Sequence, residues 1–169
     1  MADLIHSDGS FRTFVEDVVS EALYGRLGLS DRPPVDQYLV DLLMRFMHRN
    51  GVYSVTDEFG YRVESVARML EEGDVRLKAN SFERERQVHR HIGDFLLFWS
   101  GMFPEHKFGG VDRFVNPVVQ GQTSYLIVSS FDHPPFDEEA ALFRRLGAEF
   151  EAMQAGLIIA RESMPGLTA

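Results

Sequence analysis

The stretch NSFERERQVHRHIGDFLLFWSGMFPE, Asn80–Glu105, decides the fold. Its first half has the pattern of a one-faced charged helix, with Phe82, Val88 and Ile92 on one side and Arg84, Arg86 and Arg90 on another. From Phe95 to Trp99 every residue is apolar. A helix that is apolar all round must be covered by other elements, because it keeps no side for water. Asn80 followed by Glu83 has the form of a capping box, and Pro104 ends the run. The expectation is a central helix over about residues 81–103, half solvated and half enclosed.

The flanking segments are helical by the same test. Phe11, Phe14, Val15, Val18, Val19, Ala22 and Leu23 recur at the spacing of an amphipathic helix over 10–28, with Asp8 or Ser10 as cap and Gly28 as stop. Pro33-Pro34 restarts the chain into a second helix that runs to about His48 and ends at Asn50-Gly51. Residues 52–60 form a connector, since Val52–Val55 is extended in composition but has no visible partner strand. Tyr61–Glu72 is a shorter helix ended by Gly73, and residues 74–79 either continue it after a kink or lead into the central helix.

Two readings compete over Asp112–Phe131. Ser124–Phe131 has the β-branched and aromatic content of a strand. Asn116-Pro117, however, is a helix start, and Val118, Val119, Gln122, Tyr125, Leu126 and Ser129 share one helical face. Helix is the favoured reading. A last helix opens with Asp137–Glu139 and carries Leu142, Phe143, Leu146, Phe150, Met153 and Leu157 inward, weakened by Gly147 and Gly156. The sum is one all-α domain over 1–169, about six helices around the central one, with residues 1–8 and 166–169 frayed.

Composition narrows function. No cysteine occurs, which removes thiol catalysis, disulfides and cysteine-based metal sites and suits a cytoplasmic location. The start of the chain lacks a basic, apolar leader, and the longest apolar region, Ile92–Phe103, is interrupted by Asp94 and falls short of the ~20 residues of a membrane span. A net charge of −9 repels phosphate backbones, and the densest cationic group (Arg76, Lys78, Arg84, Arg86, Arg90) is diluted by Glu83 and Glu85. Neither nucleic acid nor membrane is therefore expected as a partner.

Candidate pocket residues are His89, His91, Asp94, Arg113 and Tyr125. His89 and His91, two apart, point to different sides of a helix and cannot share one ion; His91 with Asp94, or Glu85 with His89, has the right spacing to meet. No pair of Glu-x-x-His units and no His-Glu-x-x-His occurs, so no metal and no cofactor are expected. Asp94 stands where the central helix becomes enclosed, so its carboxylate must find a partner. Arg90 is the nearest candidate, with Arg113 or a backbone N–H as others. Gly93 and Ser100 on the central helix, with Gly121 and Ser124 on the next, predict a close crossing beside Tyr125.

No catalytic constellation emerges, and Phe98 and Met102 are read as apolar positions left over at the surface. The expectation is a non-enzymatic interaction or regulatory protein acting through contacts with a protein partner or with itself. The alternative is a small-molecule-sensing or metal-dependent bundle with its pocket beside the central helix.

Overall fold

The computed structural model describes residues 2–47 and 54–164, with the side chains of the first helix described from Gly9 onward. Seven α-helices make up the described chain, and among the described residues there is no strand. They are α1 (Ala2–Ser20), α2 (Asp36–Phe46), α3 (Val66–Glu72), α4 (Phe82–Met102), α5 (Pro117–Ser129), α6 (Asp137–Ala148) and α7 (Phe150–Glu162). The helix α4 is the axle: α2, α3, α5 and α7 all pack on it. Phe95, Leu96, Leu97 and Phe98 are buried, and Trp99 is half-buried among Phe95, Phe98, Phe103 and His106. Each such fully buried Leu is worth about 1.5–3 kcal/mol relative to exposure, so this one segment anchors the core.

Several local expectations need correction. α1 begins at Ala2 and not near residue 10, and it passes directly into a π-helical turn at Glu21–Arg26. That turn ends with Leu27 N–H bonded to Ala22 O at 3.0 Å, and Gly28 then takes a left-handed φ of 64°. Of the predicted inner face, Val15, Val19, Ala22 and Leu23 are buried while Phe11 and Phe14 stay substantially exposed. The π turn aims Tyr24 at the start of α2, where no side chain of the N-cap residue serves. The Tyr24 hydroxyl accepts from Val35 N–H (3.1 Å) and Asp36 N–H (3.3 Å) and donates to Asp36 Oδ1 (3.0 Å).

The segment expected to be helical from Tyr61 starts only at Val66. Residues 55–63 instead close a small antiparallel turn with a single bridge, Thr56 to Arg62. Residues 74–79 form turns, and Ser81, not Asn80, caps α4 by accepting from Arg84 N–H at 3.1 Å. Phe82 in the first turn is 66% exposed, and Arg86, expected in water, is buried over the Phe136 ring with an ion pair to Glu139 at 2.7 Å. The last predicted helix is two, α6 and α7, separated at Glu149, whose φ/ψ of −110°/30° leaves the helical region. The expected chain turn at Asn50-Gly51 and the frayed 166–169 lie outside the described residues.

The strand-or-helix ambiguity resolves as helix. Asn116 caps α5 by accepting from Val118 N–H and Val119 N–H (3.1 and 3.2 Å), and Pro117 sits in the first turn where its missing N–H costs nothing. Its buried face is Gly121, Ser124, Tyr125, Val128 and Ser129, so Val119 and Leu126 fall outside the covered side. α5 crosses α4 closely: a Cβ on Gly93 would stand 2.7 Å from the Tyr125 ring. Gly121 does not serve that crossing; it makes room for Phe150 of α7, and Gly101, next to Ser100, admits Leu157.

Candidate functional site

Asp94 of α4 is 1% exposed and gathers side chains from two neighbouring helices. Tyr38 of α2 and Tyr125 of α5 both donate to Oδ1, at 2.6 and 2.7 Å, and Arg45 of α2 forms an ion pair with Oδ2. Arg90 is one step removed. Its Nε donates to the Tyr38 hydroxyl at 3.3 Å, and its guanidinium lies over the Tyr38 and Phe143 rings. Arg113, offered as another partner, is exposed and stacks on Phe114, with no contact to Asp94.

The chemistry of this cluster is that of a lock. Burial pushes both tyrosine hydroxyls well above their usual pKa, and the adjacent Asp94 carboxylate pushes them further the same way. Both therefore stay protonated as hydrogen-bond donors and are poor acids. The carboxylate receives two hydroxyl donors on Oδ1 and a guanidinium on Oδ2, three of its roughly four acceptor sites. None of the described cavities is lined by Asp94. The arrangement ties α2, α4 and α5 together through one buried carboxylate.

The histidines part company. His89 faces α5, with Nδ1 3.0 Å from the fully buried Ser124 Oγ, which also accepts from Gln120 Nε2 at 3.1 Å. Burial lowers the His89 pKa below 6.5, against the smaller opposing pull of Asp74. His91 faces the other way, with Nδ1 2.7 Å from Ser54 Oγ and its ring stacked on Phe46. Neither suggested pairing, His91 with Asp94 or Glu85 with His89, is made as a direct bond. Glu85 and His89 do share a shallow groove of about 380 Å³ with Asp74, Arg76 and Thr123. The His89–Ser124 pair resembles a nucleophile and base in composition only, because Ser124 is enclosed and does not line the groove.

Among the described residues no group of three or more metal-ligating side chains converges. No described helix is long and apolar enough to cross a membrane.

The exposed apolar surface lies elsewhere than expected. Phe98 is only 6% exposed and Met102 is buried, both inside the core. Phe114, by contrast, is 83% exposed, Val119 57% and Leu126 44%, all on or beside α5. Val111, Phe114, Val115 and Val119 line a shallow groove of about 370 Å³ at the start of that helix. Sequence reasoning placed Val119 and Leu126 on the face of α5 with Tyr125. The missed signal was charge: no Asp, Glu, Lys or Arg occurs from Phe114 through Phe131. Comparison with protein-family models, with curated proteins and with solved structures found no match in any of the three.

Proposed function

We propose that this protein is a non-enzymatic helical module that works through contact with another protein chain, using the solvent side of α5 and the adjoining Phe114. The observation that carries this reading is a charge-free helix lying at the surface of a chain of net charge −9. Its solvent side carries Val119 and Leu126 among uncharged polar residues, next to the exposed Phe114, and large exposed apolar patches mark interaction sites. Phe114 at 83% exposure supplies the kind of aromatic anchor on which interfaces concentrate their binding energy. The Asp94 cluster supports the same reading, since this buried carboxylate is engaged by side chains that hold three helices together.

The test is a photo-crosslinking amino acid placed at Val119 in the protein expressed in its own cells, with the same group at the exposed Glu151 of α7 as control. The expected outcome is a discrete protein adduct from position 119 that weakens when Phe114 is changed to Ser. Equal, diffuse labelling from both positions would defeat the reading.

A further inference from the structure

The solvent side of α5 is a stripe of Asn116, Val119, Thr123, Leu126 and Ser130, all exposed. The steps along it are three, four, three and four residues, which keeps the stripe on one side of the helix; Val119 and Leu126 are its two apolar members, and Leu126 also leans on Gly147 of α6. Just before the stripe stands Arg113 and just after it Asp132; both are exposed, and neither is in an ion pair with any described residue.

Resting on the interaction reading above, we propose that the occupant of this face is a second copy of the chain, docked α5 against α5 in antiparallel fashion. The twofold axis passes beside Gln122 and Thr123. Two observations choose this partner and this orientation. First, two molecules of charge −9 repel each other over most of their surfaces, and the stretch Phe114–Phe131 is where charge is absent. Second, the ends of the stripe complement themselves. Val119 lies six residues after Arg113 (119 − 113) and Leu126 six before Asp132 (132 − 126), so by sequence count one antiparallel register matches both pairs, with Arg113 and Asp132 in the turns that flank α5. It sets Val119 of each copy against Leu126 of the other, and Arg113 of each against Asp132 of the other. A parallel pairing would oppose Arg113 to Arg113 and Asp132 to Asp132. Such a contact is isologous, the usual form of a homodimer.

Other exposed aromatics do not offer this. Phe59, Tyr61 and Phe82 are interspersed with Asp57, Glu58, Arg62, Glu83 and Arg84, and no self-complementary line runs through them. The α5 stripe spans 15 residues, about 22 Å at ~1.5 Å per residue, so the interface belongs with small, weak contacts below ~1,200 Å². The dimer is therefore concentration-dependent.

Sedimentation equilibrium of the full chain over a concentration series tests the proposal, with circular dichroism to verify that each variant is folded. Wild type is expected to move from the mass of one chain, 19.3 kDa, toward that of two. V119E, altered at a position that is mostly exposed, is expected to stay at one. R113D and D132R are each expected to weaken the dimer about tenfold, and the double swap R113D/D132R to regain most of the loss. A wild-type protein that remains one chain up to about 1 mM overturns the second-copy assignment. Weakened single swaps with no recovery in the double overturn the antiparallel register. Adducts from position 119 with a different protein, alongside a one-chain mass, sink the dimer but leave the interaction reading standing. No adduct together with a one-chain mass removes both.

Discussion

Removing the two hydroxyls on Asp94 one at a time and together should cost more in combination than in sum. Tyr125→Phe deletes a single bond, the 2.7 Å donation to Oδ1, while the ring keeps its place against Gly93, Phe143 and Phe150. A hydrogen bond to a charged group is worth about 1.5–3 kcal/mol, and the low end applies here because Tyr38 still serves the same oxygen. Tyr38→Phe costs slightly more, since Arg90 Nε loses its acceptor as well, although its cation–π contact survives. In the double variant Oδ1 of a carboxylate that is 1% exposed has neither hydroxyl donor, and an unsatisfied buried acceptor adds roughly 1–3 kcal/mol beyond the two singles. For a chain of this size each kcal/mol lowers the melting temperature by about 2–4 °C. Each single change should therefore lower it by roughly 3–6 °C, and the pair by clearly more than the sum. Urea denaturation at constant m-value gives the four free energies of the cycle. Additivity within about 0.5 kcal/mol would mean that the two hydroxyls do not share one acceptor, and the lock would be refuted.

Gly93→Ala places a methyl 2.7 Å from the Tyr125 ring, and overpacking of this kind costs about 1–3 kcal/mol; a variant as stable as wild type in urea would contradict the close α4–α5 crossing. Gly93→Leu is expected to give no folded protein at all, judged by loss of the cooperative melt. The buried, neutral His89 makes stability sensitive to acid. Its pKa is lowered in the folded state, so the unfolded chain binds the proton first, and the contribution is fully present above about 6.5 and is lost as pH falls from there through the folded value. Urea midpoints between pH 8 and pH 5 should therefore fall less steeply for His89→Gln than for wild type, and parallel curves would exclude His89 as a source. Asp112 accepts from Val66 N–H and Ala67 N–H at 2.8 and 3.0 Å, capping α3 from 45 residues away in sequence (112 − 67). Asp112→Ala should cost about 1–2 kcal/mol and speed amide exchange first at residues 66–68; unchanged exchange there would rule out the remote cap.

The parts of this fold legible in the sequence are those set by local periodicity. Phe95–Phe98 left no polar side, and the resulting enclosed helix follows from that alone. Asn116-Pro117 outweighed the strand-like composition of SYLIVSSF because a cap and a proline fix backbone geometry, whereas β-propensity mostly reports packing. What a single sequence does not carry is which elements become neighbours. Asp94 was marked as needing a partner, but Tyr38 and Arg45 lie 56 and 49 residues away and only the packing of α2 on α4 brings them in. Arg90, the local choice, serves Tyr38 instead. Phe82 and Arg86 exchanged the roles expected of them for a similar reason. In the first turn of α4 no element covers Phe82, while Phe136 offers Arg86 an aromatic face and Glu139 a counter-charge. The break at Glu149 carried no proline to announce it.

The π turn at Glu21–Arg26 has its own consequence. It accommodates one more residue than an ordinary helical repeat allows, and that surplus sets the bearing at which Tyr24 leaves the backbone. Excising a single amino acid from this turn would regularise the coil yet swing the phenol about 100° around it, away from the amides of Val35 and Asp36. The first and second helices would then be joined by the same linker but no longer pinned at its far end. A shortening that looks harmless by local geometry thus acts on a helix more than ten positions downstream.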